Sequence, residues 1–104
     1  MPEFKVAAAQ VPSLRGDIDG NIATHAAVIA AAAKHGVLVL MFPELSLTGY
    51  EPDLAAELAM TAADSRLAPL LALAQQHQIE VVVGAPLYNG TAKPALGAYG
   101  PVWP

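Results

Sequence analysis

A chain of 104 residues carrying a net charge of -4 supports one hydrophobic core and leaves no room for two independent domains. An apolar fraction of 55% against 13% charged residues excludes intrinsic disorder. The five basic residues, Lys5, Arg15, Lys34, Arg66 and Lys93, are too scattered to neutralise phosphates, and the lack of cysteine excludes disulfides, thiolate metal sites and a cysteine nucleophile from the chain itself.

The first predicted element is a strand over residues 4–10, with Phe4, Val6 and Ala8 on one face and the small Ala7 and Ala9 on the other; Pro12 ends it. Asp17 or Asp19 then caps a helix over 21–35 whose stripe is Ile22, Ala26, Ile29, Ala30 and Ala33, closed by Lys34, His35 and Gly36. Val37 to Phe42 is an apolar run without alternation, the pattern of a strand covered on both faces, and Pro43 stops it.

Pro52 and Asp53 open a short alanine-rich helix to about Met60. Another helix follows over 65–77, capped by Asp64 or Ser65, with Leu67, Leu70, Leu71 and Ala74 as its buried stripe. Pro69 is tolerated only in a first turn, so the regular part of that helix is expected to begin at Ala68. Val81 to Ala85 reads as a third buried strand, closed by Pro86. Alternation of strands with helix-length connections implies an α/β fold with a parallel sheet. After Tyr88 the text changes to an Asn89-Gly90 turn and a proline-rich tail, residues 91–104, with Ala95 to Tyr99 as a poor strand candidate.

In an open parallel sheet, chemistry collects beyond the carboxyl ends of the strands. Three segments are expected there: Gln10 to Gly16, Pro43 to Asp53 and Pro86 to Gly90. Eight of the nine acidic residues read as helix caps, loop residues or strand entries. Glu44 differs, because it follows an apolar strand and a proline and so stands at the mouth of the sheet, withdrawn from water as a working base is. Ser46 and Thr48 lack a histidine or lysine near them in sequence and read as turn residues. His25, His35 and His77 have no metal spacing and read as helix-end or surface residues; no metal is expected. Phe4 and Phe42 read as core, and Tyr50 as the aromatic placed at a site.

Phe42-Pro43-Glu44-Leu45-Ser46-Leu47-Thr48-Gly49-Tyr50 resembles the first signature of the nitrilase superfamily of carbon-nitrogen hydrolases. Lys5 to Gln10 and Val81 to Ala85 resemble its first and third strands in order and spacing, so the resemblance covers residues 4–90. It implies the amino-terminal βαβαβ portion of a four-layer α-β-β-α sandwich, with the whole chain a partial domain. It also implies that Glu44 is the general base of a Glu-Lys-Cys triad, that Tyr50 lies near the substrate pocket, and that the substrate of a full-length relative is a small amide, carbamoyl or nitrile compound. No cofactor is implied. Lys5, Lys34 and Lys93 do not match the family lysine's context, and the cysteine is missing.

The chain is therefore expected to be an inactive fragment of a carbon-nitrogen hydrolase that self-associates through apolar surface its own residues leave bare. The alternative is a non-catalytic truncated chain or interaction module associating through an uncovered sheet. A third reading, a nucleotide-binding α/β domain suggested by Gly16 and Gly20, lacks both G-x-G-x-x-G and a glycine-lysine-serine ending. No apolar run reaches the length of a bilayer span and no basic leader precedes one, so a cytoplasmic protein without membrane or nucleic-acid partners is expected.

Overall fold

The computed structural model describes residues 4–61, 64–88 and 98–102. Strand β1 (Val6–Ala8) leads to helix α1 (Ile18–Lys34) and strand β2 (Val39–Met41). A 3-10 turn (Pro52–Leu54) runs into the short helix α2 (Ala55–Leu58). A second 3-10 turn (Ser65–Leu67) runs into helix α3 (Ala68–His77), followed by strands β3 (Glu80–Gly84) and β4 (Ala98–Val102). The sheet order is β1-β2-β3-β4. The first three strands are mutually parallel, Val6 facing Val39 and Val39 facing Glu80 in register.

Local chemistry sets the helix ends. Asp17 is the cap of α1, its carboxylate accepting from the Gly20 amide at 3.0 Å, where the first-turn amides have no helical partner. Asp64 does the same for the start of the third helical segment, accepting from the Arg66 amide at 2.9 Å. Pro69 lies in the first turn of α3, whose regular part begins at Ala68 as its missing donor requires. At the other end Gln78 adopts a left-handed conformation (φ 51°) and returns its N–H to the last carbonyls.

Both long helices pack on one face of the sheet. The core there joins Ile18, Ile22 and Ile29 of α1, Leu70 and Ala74 of α3, Leu40 and Phe42 of the second strand region, and Val81 and Val83 of β3. The buried stripe of α1 runs through Ile18, Asn21, Ile22, His25, Ile29 and Ala32, rotated from the alanine-rich stripe expected from apolar spacing. Ala26, Ala30 and Ala33 are only half-buried. The rotation arises because Asn21 and His25 find polar partners inside, which removes the penalty that would keep them out. Leu71, expected in the core, is exposed, while Leu67, Leu70 and Ala74 are buried and Leu73 packs partly against the core.

The opposite face of the sheet is bare among the described residues. Val6 is 61% and Met41 53% exposed, Ala8 is exposed, and Val39 and Val82 are half-covered. The apolar run of β2 thus alternates in burial although it does not alternate in chemistry, so the two-sided cover expected of it is absent among the described residues. Phe4 lies at the start of this uncovered side, 71% exposed rather than in the core; Phe42 is buried as expected.

Strand β4 pairs antiparallel to β3, with an irregular register between Val81 and Val83. It falls later than the candidate over Ala95 to Tyr99, of which residues 95–97 lie outside the described residues, as do Asn89 and Gly90. Pro101 within it has no N–H to donate, and a place on the last strand of the sheet, beside the register irregularity, accommodates that loss. No helix among the described residues is long and apolar enough to cross a membrane.

Candidate functional site

Beyond the carboxyl ends of β1 and β2, two of the expected segments are tied together. The Ser13 hydroxyl donates to the Ser46 carbonyl at 2.8 Å, and the Gly16 amide to the Thr48 carbonyl at 2.9 Å. Arg15 forms ion pairs with Glu51 and with Asp53, the latter at 2.6 Å, which raise the guanidinium's pKa and lower that of Asp53. The third segment is bonded instead to Met60, just after α2: the Met60 amide donates to Pro86 O at 3.0 Å and the Tyr88 amide to Met60 O at 2.9 Å.

Glu44 stands on the turn that follows β2. The Ser46 amide closes on Pro43 O at 3.1 Å, and the Gly49 amide on Leu45 O at 2.7 Å. Leu45 takes a left-handed conformation, φ 53°. That costs a residue with a Cβ about 1–2 kcal/mol. Leu45 is also 1% exposed, and burying a leucine side chain is worth about 1.5–3 kcal/mol, so the buried side chain holds the strained backbone in place. The Glu44 side chain itself is exposed. It sits at the apex of a turn whose neighbouring residues are anchored inward, so the withdrawal from water expected of it is absent in this chain. Tyr50, after Gly49 with its positive φ of 83°, is 65% exposed.

The turn rests on the last residue of β3. A Cβ at Gly84 would lie 2.6 Å from Pro43 O and 2.9 Å from the Glu44 carbonyl carbon, so only glycine permits this approach. The contact is bonded in both directions, Leu47 N–H donating to Gly84 O at 2.9 Å and Gly84 N–H to Ser46 Oγ at 3.1 Å.

Ser46 has a partner that sequence distance concealed. His25, in the middle of α1 and 1% exposed, places Nε2 2.8 Å from Ser46 Oγ and Nδ1 2.6 Å from the Asn21 carbonyl, while its ring stacks on Phe42 at 4.0 Å. The helix-end reading of His25 is therefore corrected: twenty-one residues of chain, folded as helix and strand, bring it back to the turn. Desolvation lowers its pKa. Asn21 completes the network, its side-chain amide donating to Leu14 O at 2.8 Å and Leu47 O at 2.9 Å. The signal that could have found both was two polar residues four apart on an otherwise apolar helix face. A serine-histidine pair suggests a nucleophile, but Ser46 is also 1% exposed and no substrate carbon can reach its oxygen.

The remaining candidates fall elsewhere. Lys5 donates to His35 O at 2.8 Å and Lys34 closes α1; both lie at the amino ends of the strands, opposite Glu44. Lys93 is outside the described residues. Gly16 forms a turn with φ 67° and Gly20 receives the Asp17 cap, so neither glycine is left over for a phosphate loop. Among the described residues no cluster of three or more histidine, aspartate or glutamate side chains could hold a metal ion.

The family model described as carbon-nitrogen hydrolase matches residues 5–99, continuing beyond residue 90 into β4. No curated protein matches the chain. Among solved structures, the chain is similar to an amidase from Nesterenkonia sp. AN1 at 23% identity and TM-score 0.77, covering 92% of this chain and 38% of that one. A form of that amidase with one glutamate changed to glutamine shows acrylamide added at its active site cysteine; it matches at 23% identity and TM-score 0.78, covering 92% of this chain and 38% of that one. A form with a cysteine changed to alanine is in complex with butyramide; it matches at 24% identity and TM-score 0.76, covering 91% and 37%. The shared fold is that of the amino-terminal part of a nitrilase-fold amidase. The chain spans just over a third of the length of these solved structures.

Proposed function

The chain belongs to the carbon-nitrogen hydrolase family, and from that premise we propose that it supplies the general base, Glu44, for hydrolysis of a small amide, carbamoyl or nitrile compound. The observation that carries this reading is the placement of Glu44: an exposed carboxylate on a turn at the carboxyl end of a parallel sheet, its backbone fixed from beneath by Gly84 and Ser46. A base must be both reachable and held in position, and this turn meets both conditions.

In the reaction proposed, Glu44 takes the proton of a cysteine thiol as sulfur attacks the carbon of an amide. The C–N bond breaks, and the nitrogen leaves as ammonia or an amine carrying a proton returned by Glu44. Glu44 then removes a proton from water, whose oxygen attacks the thioester and regenerates the thiol. A lysine stabilises the negative charge that develops on oxygen. This chain holds no cysteine, so the nucleophile comes from residues outside it; in this reading the lysine does too, since Lys5 and Lys34 lie at the amino ends of the strands, opposite Glu44. Tyr50, exposed on the same loop, lies toward the substrate in this reading. The small aliphatic amide bound by the similar amidase makes butyramide the first substrate to assay.

The test is a complex or single-chain chimaera of this chain with the remaining two thirds of the Nesterenkonia amidase, assayed for ammonia release. Glu44→Gln keeps shape and hydrogen bonding but cannot accept the proton. It is expected to lower kcat by at least the roughly 10²- to 10⁴-fold share of a general base; full activity in the variant refutes the assignment. A second reading, association of a non-catalytic chain through its sheet, is favoured by the bare face around Val6 and Met41.

A further inference from the structure

We infer that His25 is a positioning residue for Glu44: through Ser46 it locks the base-carrying turn onto the end of β3, as a neutral imidazole with its proton on Nδ1. The inference rests on the proposed role of Glu44 and adds to it how that carboxylate is aimed.

Proton directions follow from the partners. A carbonyl oxygen only accepts, so the ring nitrogen 2.6 Å from Asn21 O must carry hydrogen, which assigns the proton to Nδ1. In a neutral ring Nε2 is then an acceptor, and the Ser46 hydroxyl 2.8 Å away donates to it. The Ser46 oxygen is left free to accept the Gly84 amide at 3.1 Å. A single directed chain therefore runs from Gly84 N–H through Ser46 O–H and the His25 ring to the Asn21 carbonyl. Every buried side-chain nitrogen and oxygen among the described residues has a hydrogen-bond partner, so this network leaves no buried atom orphaned.

Any other protonation state breaks it. A proton on Nε2 makes that nitrogen a donor, and although the serine oxygen can accept it beside Gly84 N–H, the serine hydrogen then loses the ring as its acceptor in a fully buried place. The ring cannot swing away, because it is stacked on Phe42 at 4.0 Å, two residues before Glu44. Helix α1 and strand β3 thereby grip the turn from two sides. The grip falls on Ser46 and not on Glu44, whose side chain is exposed and makes no hydrogen bond or ion pair among the described residues.

The test uses the 104-residue chain, isotopically labelled. Long-range ¹H–¹⁵N spectra of the unsubstituted chain at neutral pH are expected to show Nδ1 protonated and Nε2 bare at His25. Ser46→Ala removes the hydroxyl and orphans both Nε2 and Gly84 N–H. Hydrogen exchange at the Leu47 amide, which ties the turn to Gly84, and at the Gly49 amide, which closes the turn, is then expected to accelerate roughly ten- to hundredfold, with altered relaxation at the Glu44 amide. The Ile29 and Ala74 amides in the helices should keep their protection. A proton found on Nε2 overturns the inference, and it does so even where Ser46→Ala fails to fold. Unchanged turn amides, or an equal loss of protection throughout the chain, overturn it as well, the latter by showing a general packing role. None of these readouts involves hydrolysis, so a wrong base assignment would appear only in the Glu44→Gln chimaera.

Discussion

At residue scale, the candidate site combines an exposed residue on the turn with buried residues that hold the turn, and only the first was legible in the sequence. Glu44 stood out because an apolar strand and a proline lead directly to it, a local pattern. His25 was hidden, since its partner is twenty-one residues away and only the return of the chain from α1 to β2 brings them together. Burial of this imidazole has a consequence in solution. Its folded pKa lies below the ordinary 6.5 because the cation loses its hydration. Below about pH 6.5 the unfolded chain therefore binds a proton that the native chain refuses, and stability falls as pH falls until the folded value is reached. The slope from this group is at most about 1.4 kcal/mol per pH unit. Urea midpoints should decrease from pH 7.5 to pH 5, and His25→Gln should flatten the dependence across that range; a slope unchanged by the substitution would contradict the account.

At the scale of elements, the parallel order of three strands and the start of α3 at Ala68 were legible because prolines, caps and apolar runs are local signals. The face that α1 buries was not, since apolar spacing cannot tell a polar residue with an internal partner from one without. Nor does apolar spacing show that β3 approaches the Glu44 turn so closely that Gly84 must lack a side chain. That approach makes Gly84→Ala a direct probe of the joint between strand and turn. The added methyl would meet Pro43 O at 2.6 Å, backbone that cannot rotate away. A destabilisation of about 1–3 kcal/mol is expected, the usual cost of overpacking. A chemical denaturation midpoint equal to that of the unsubstituted chain would show that the turn is not held against β3.

Over the whole molecule, one face of the sheet carries two long helices while the other offers Val6, Ala8, Val39, Met41 and Val82 to solvent. Runs of valine and leucine without alternation encode cover on both faces, and the described residues provide it on one. Bare apolar surface of this kind should drive self-association or hydrophobic dye binding at micromolar concentration. Met41→Lys, at a position already 53% exposed, should weaken both without unfolding the chain. A sharp monomer peak with no dye binding would contradict this. The central claim is that the chain holds the base of a carbon-nitrogen hydrolase while the nucleophile lies elsewhere, and one assay meets it directly. Ammonia release from butyramide should be absent with the unmixed chain, because a lone carboxylate supplies about 10² to 10⁴ of the roughly 10⁶-fold or greater acceleration of an enzyme. Release should appear when the cysteine-bearing remainder of the similar amidase is joined to it. Turnover by the unmixed chain would contradict the account.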